Sequence, residues 1–319
     1  MRIQQKASIR EENSNTLYVV AVMWRDSKKN RLKLKTLLGN WRKLELHAFP
    51  VLKDIPITQL TAPMAIEALR PLERAGHLET VKRTAQLMNE IMNYAVNYGL
   101  LQANPLVGIR EVFQKPQPNH MAALQPHEIK ELLQRVSMAN IQLVTRCAIE
   151  WQLHTMTRPS EAVGARWAEI NLERNTWMIP DTRMKMARPH EIPLTKQTLS
   201  ILEVMKPISG HRVFVFPSPR DPKKHLDSET PNKALGKMGF SGRTTAHGLR
   251  SLASTTLHEQ GFNTAVIEAA LSHSDTNKIR AAYNRTTYLN ERRELMEWWS
   301  NYIYERSFGN FSIVKMNKD

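Results

Sequence analysis

Cysteine is nearly absent: of 319 residues only Cys147 carries a thiol, so no intramolecular disulfide can form. Long apolar runs are absent too. The longest, Leu17 to Trp24, falls far short of the roughly 20 residues that cross a bilayer, and no small-residue cleavage site follows an apolar stretch. Metal-binding patterns are missing, with one Cys, no two His four residues apart with a Glu between them, and no calcium loop. Among 12 glycines there is neither a dinucleotide fingerprint nor a Walker-type phosphate loop. Together these absences argue against a disulfide-stapled secreted domain or a membrane span. They give metal- or nucleotide-driven chemistry no support, so no metal and no cofactor is expected, in a reducing cytoplasm.

What the chain does have is positive charge. Lys and Arg number 45 against 30 Asp and Glu, a net charge of +15, on an ordinary globular background of 41% apolar residues. The length suggests about two domains of roughly 150 residues, each able to bury its own core. A surplus of this size concentrates polyanions at the surface, nucleic acid foremost. Between Arg25 and Lys43 there are eight basic residues and a single acidic one, Asp26. Lys28, Lys29, Arg31, Lys33, Lys35, Arg42 and Lys43 are therefore candidates for tracking phosphates, against the plainer reading of a solvated face.

The apolar spacing predicts a polar N-terminus over residues 1–15 and a helical bundle over 16–113. In it a helix breaks at Asp26–Asn30, a basic loop follows, and further helices run over Ala62–Arg74 and Thr80–Tyr98. Val81, Ala85, Met88, Ile91, Met92 and Ala95 form one stripe that needs a partner to bury it. Residues 114–120, with two prolines and no apolar side chain, read as a linker. Residues 121–319 then form a second domain, mainly α with a small antiparallel sheet. Helices are expected over Pro126–Val136, Ile141–Thr155 and Pro159–Trp167. Strands over Asn175–Ile179 and Glu191–Pro193 flank a basic turn from Arg183 to Arg188, and helix dominates from Leu249 to Arg306.

Several segments of this second domain share a chemical theme. Thr157-Arg158-Pro159-Ser160-Glu161 puts an arginine at a helix start, with Glu161 placed to support that start or the arginine itself. The hairpin turn offers Lys185, while its rivals Lys115 and Lys196 lie off the turn. Thr245-Ala246-His247-Gly248-Leu249-Arg250 sets His and Arg three apart. Leu271-Ser272-His273 is followed ten residues later by Ala282-Tyr283-Asn284-Arg285. In this order the elements resemble the tyrosine recombinases, the family of lambda integrase and Cre. The stretches Trp177-Met178-Ile179-Pro180, Arg183-Met184-Lys185-Met186, Ile192-Pro193-Leu194 and Arg280 to Arg293 are similar to the integrases of satellite phages and genomic islands.

The resemblance implies a helical core-binding domain ahead of a catalytic domain with the DNA breaking-rejoining fold. It implies catalytic roles for Arg158, Lys185, His247, Arg250, His273 and the nucleophile Tyr283, with Arg183 and Arg188 as further DNA contacts from the turn. The two domains would close on a duplex as a clamp, four protomers acting on two duplexes at attachment sites. The free protein is expected to be monomeric, and Leu295 to Phe308 is the expected segment passed between protomers. Accessory DNA-bending or directionality proteins are further expected partners, in a bacterial, nucleoid-associated cytoplasmic setting without membrane contact. The sequence departs from the pattern at Met156 and Ser272, where the family often has glycine, and at Ser251, where it often has a second basic residue. It also starts almost at the bundle, which suggests the lack of an N-terminal arm-binding domain. A type IB topoisomerase-like nicking and resealing enzyme, or a non-catalytic DNA-binding regulator, remain open as alternatives.

Overall fold

The structure is a computed structural model that describes residues 15–117, 122–184, 188–273, 288–308 and 312–314. The chain divides into two compact units, Met1–Asn119 and His120–Asp319.

The first unit is helical. It contains α1 (Leu17–Lys28), α2 (Leu34–His47), α3 (Phe49–Leu52), α4 (Ala62–Arg74) and α5 (Leu78–Asn97). The Thr16 hydroxyl caps α1 by accepting from the Val19 N–H. The N–H groups of Leu17 and Tyr18 leave the helix for the carbonyls of Ile55 and Lys53. The six-residue stripe of α5 is fully buried, and each of its larger side chains contributes about 1.5–3 kcal/mol by leaving water. Tyr18, Trp41 and Phe49 close the other side of the bundle edge-to-face, with ring centroids 5.1–5.8 Å apart. The first helix ends at Lys28, inside the expected break at Asp26–Asn30, with Ser27 bonded back to the Trp24 carbonyl and Asp26 paired with Lys29 at 2.9 Å in its last turn.

The second unit contains α6 (Ile129–Met138), α7 (Leu143–Thr155), α8 (Pro159–Val163), α9 (Lys196–Ser209), α10 (Thr230–Leu235), α11 (Gly248–Glu259), α12 (Thr264–Ala270) and α13 (Leu289–Arg306). A three-stranded antiparallel sheet, β1 (Ile170–Asn171), β2 (Thr176–Ile179) and β3 (His190–Pro193), follows α8, with Ile179 paired to His190 at the loop end of the β2–β3 hairpin. Helix α7 is the axis of this unit, buried from Cys147 to Thr155, with Trp151 packed on Trp177 and Phe216. Burial pushes the Cys147 thiol up to about 12, so it behaves as a small core side chain.

Two local expectations change. Helix α9 was not legible as a unit, although Thr195 caps it and Ile201, Leu202 and Met205 line its inner face. Helix α8 stops at Val163 rather than Trp167, because the chain turns at Gly164, where a Cβ would lie 2.6 Å from the Arg183 guanidinium. The Leu295–Phe308 segment, expected to pass between protomers, is packed on its own unit here. Its helix buries Leu295, Met296, Trp299 and Ile303 in its own unit, and the Trp299 indole donates to the Leu153 carbonyl at 2.8 Å. Among the described residues no helix is long and apolar enough to cross a membrane.

Candidate active site

Arg158 precedes α8, where Pro159 opens the helix. Glu161, 3% exposed, accepts both the Arg158 backbone N–H and its Nη1, each at 3.0 Å. One carboxylate thus caps the helix and aims the guanidinium, joining the two roles that were open for it. The Arg158 Nη2 extends to the Ser272 carbonyl at 3.4 Å.

Arg250 lies in the first turn of α11 and is 4% exposed. Its Nη1 donates to the Met156 carbonyl and its Nη2 to the Leu271 carbonyl, with Nη2 also 3.2 Å from the His273 Nε2. Burial first, and then the neighbouring Arg158 charge, lower its pKa to about 10, while Glu161 and Glu268 oppose the shift. It therefore stays cationic at neutral pH. From β3, the buried His190 places Nε2 3.2 Å from the Ala270 carbonyl. Burial holds its pKa down to about 3, so the ring is neutral and its proton sits on the nitrogen that faces the carbonyl. Three successive carbonyls, 270, 271 and 272, are thus held by His190, Arg250 and Arg158.

That turn is the C-terminal cap of α12. The His273 N–H returns to the Glu268 carbonyl at 2.9 Å and the Ser272 N–H to Ala269 at 3.1 Å, with Ser272 at φ +51°, which is the Schellman arrangement. Met156, at the end of α7, is left-handed as well, at φ +54°. Both positions where glycine was expected therefore adopt the conformation that glycine reaches without strain. His247 is exposed immediately before α11, and its carbonyl accepts the Arg250 N–H at 3.1 Å. Lys185 and Tyr283 lie outside the described residues, though the strands that flank position 185 are described. No group of three or more His, Cys, Asp or Glu among the described residues could hold a metal ion.

Residues 17–112 match the model of the phage integrase central domain and residues 122–290 that of the phage integrase family. The chain is 43% identical over 315 residues to prophage integrase IntA of Escherichia coli, covering 99% of this chain and 76% of that protein. The chain belongs to the phage integrase family. It is also 31% identical to the integrase of Enterobacteria phage P4, over 94% of this chain and 72% of that one. In fold, it matches a lambda integrase tetramer bound to a Holliday junction with a TM-score of 0.69 at 19% identity, covering 86% of this chain and 82% of that one. The protein is thus a tyrosine recombinase, and its activity is site-specific DNA strand exchange through a phosphotyrosine intermediate.

On this integrase, the basic residues expected to meet DNA are mostly at the surface. Lys29, Arg31, Lys33, Lys35, Arg42 and Arg188 are exposed, while Lys28 and Lys43 are half-buried. Lys28 and Arg31 line a hollow with Trp24, Asn93, Asn97 and Tyr98. Lys43 bonds back to the Gly39 carbonyl, and Arg42 lies 3.6 Å from Glu45. Arg183 departs from expectation. Its guanidinium, 16% exposed, pairs with Glu169 and donates to the Glu161 carbonyl at 2.9 Å, which fastens the strand end to α8 instead of offering it to phosphate. Two residues close to the site were given no role from the sequence: His190, although the stretch Arg188-Pro189-His190 shares the resemblance, and Glu268, whose Oε2 is 2.7 Å from the His273 Nδ1. Each acquires its partner only through a turn or a strand.

Proposed function

We propose that this integrase inserts or excises a mobile genetic element at specific attachment sites, with Tyr283 as nucleophile and Arg158, Lys185, His247, Arg250 and His273 around the scissile phosphate. The observation that carries this reading is the convergence of the Arg158 and Arg250 guanidiniums on the turn that ends in His273. Two fixed forks of donors, one beside the other, match the nonbridging oxygens of a phosphodiester, where charge grows in the pentavalent transition state.

In the proposed reaction the Tyr283 Oη attacks phosphorus, the bond to the 5′ oxygen breaks, and a 3′-phosphotyrosine forms beside a free 5′-hydroxyl. His247 takes the phenolic proton, and Lys185 on the hairpin supplies a proton to the leaving oxygen. The covalent link conserves the phosphodiester energy, so a second 5′-hydroxyl can reverse the step without ATP. Recombination needs four such cleavages, hence four protomers on two duplexes. The DNA-bound lambda integrase assemblies are the precedent for carrying DNA binding and a tetramer over to this chain. Residues 16–113 would serve as the core-binding domain and 121–319 as the catalytic domain. The place of action would be the bacterial nucleoid in the cytoplasm.

The test is a suicide substrate, a nicked duplex that carries candidate core sites and traps the covalent complex. Wild-type protein is expected to give a denaturation-resistant adduct and Tyr283→Phe none, at nearly equal DNA affinity. An adduct that persists in Tyr283→Phe would refute the assignment of the nucleophile.

A further inference from the structure

We infer that Glu268 is a positioning residue of the recombination site: it holds His273 through Nδ1 and carries the countercharge for an imidazolium that forms when a phosphate enters. The inference rests on the proposed contact between His273 and the scissile phosphate.

The backbone sets up the pair. In the cap that ends α12, Glu268 and His273 occupy the two positions whose side chains meet, usually as an apolar contact. Here the contact is polar, at 2.7 Å between the Glu268 Oε2 and the His273 Nδ1. The other ring nitrogen, Nε2, lies 3.2 Å from the Arg250 Nη2. A guanidinium has only donors, so Nε2 must accept, and the ring proton belongs to Nδ1, where it faces the carboxylate.

That protonation state suits the DNA-free site and not the loaded one. A nonbridging phosphate oxygen is an acceptor, and a bare Nε2 offers it nothing. For His273 to bond the phosphate, Nε2 must gain one proton from solvent while the Arg250 Nη2 turns from the ring to the phosphate. The result is an imidazolium that donates through Nε2 to the phosphate and through Nδ1 to Glu268. The ring and the carboxylate are 43% and 42% exposed, so water can deliver that proton.

Among the described residues, the charged or titratable groups that face this turn are Arg250 from α11, Arg158 through the Ser272 carbonyl, His190 from β3 through the Ala270 carbonyl, and Glu268 from α12. The two arginines disfavour a third positive charge, and His190 is neutral. Glu268 is the group that favours it.

The experiment measures the rate of covalent complex formation on a suicide substrate from pH 6 to 9 for wild type, Glu268→Gln and Glu268→Asp, each repeated in a His273→Trp background. Gln still accepts the Nδ1 proton, so it removes charge but not geometry. On the alkaline limb of the profile it is expected to lose about threefold in rate, with the acid side unchanged, given solvent screening of an exposed pair. Asp should recover most of that limb. In the His273→Trp background the indole N–H is a permanent donor, and Glu268→Gln should change nothing further.

Superimposed wild-type and Glu268→Gln profiles, an equal loss at every pH, or the same loss in the Trp background would each overturn the inference while leaving the phosphotyrosine assignment intact. An adduct that does not depend on Tyr283 would overturn the assignment itself and the inference with it. Nitrogen-15 spectra of the DNA-free protein supply a readout without catalysis: the Nδ1-protonated His273 tautomer is expected at pH 8, and the Nε2-protonated tautomer would overturn the inference.

Discussion

Arg158 donates through Nη2 to the carbonyl of Ser272, 114 residues further along the chain, and Arg250 donates to the carbonyl just before it. In the proposed site both guanidiniums are thus held, ahead of the phosphate, by protein acceptors that a phosphate oxygen would replace. Such preorganisation lowers the cost of ordering two long side chains at the moment of reaction.

Replacing either arginine by lysine keeps the charge and removes the fork. Arg250→Lys and Arg158→Lys are each expected to slow covalent complex formation by about 10²–10³-fold, with DNA affinity changed only a few-fold. Single-turnover rates on a suicide substrate, beside equilibrium binding, check this. A loss of affinity as large as the loss of rate would contradict it.

The two left-handed residues should respond in opposite ways to glycine. Ser272 is half-buried at φ +51°, so Ser272→Gly removes backbone strain and little packing, and stability should rise by about 0.5–1 kcal/mol. Met156 has the same kind of backbone at φ +54° but is 1% exposed, so Met156→Gly relieves strain and empties part of the core. A net loss of about 1–3 kcal/mol is expected there. Denaturant midpoints of the two variants measure both signs in one experiment.

Salt dependence separates structural from DNA-facing arginines and lysines. Lys35 is exposed on the first turn of α2, and Lys35→Ala should lower the slope of log K against log salt by roughly one. Arg183→Ala should leave that slope unchanged. Instead it strips the mostly buried Glu169 carboxylate of its cation and should destabilise the second unit by about 3 kcal/mol. A reduced slope in Arg183→Ala would return it to the DNA surface.

Acid should unfold the second unit over a defined window. Burial lowers the pKa of His154 and of His190 to about 3 from an ordinary value of 6.5. Between those values the unfolded chain binds protons that the folded one refuses, so stability is full above about pH 6.5 and declines as the pH falls toward 3. His154 bonds the Ser300 hydroxyl at 3.0 Å in a buried network with Thr195. His154→Gln, which cannot take up that proton, should flatten the fall in Tm between pH 7 and 4, as thermal melts across that range will show.

The residues proposed for the chemistry were legible in the chain because the spacing of Arg158, His247-x-x-Arg250, His273 and Tyr283 is a linear pattern, and helix periodicity set the bundle stripe on α5. Charge alone was less informative. It grouped Arg183 with Lys29 and Lys35, yet one guanidinium is folded inward by a gap at Gly164 that a side chain would close. Tertiary structure alone brought His190 to Ala270 and both arginines to the same turn, since those contacts join segments 80 to 114 residues apart, or 21 in the case of Arg250 and Leu271. It also paired Glu268 with His273, because a cap geometry, not sequence spacing, decides which side chains meet at the end of a helix. Local order followed from periodicity and punctuation, which act between near neighbours. The direction of each donor followed from the acceptor that folding brought within its reach, and that acceptor belongs to a distant segment.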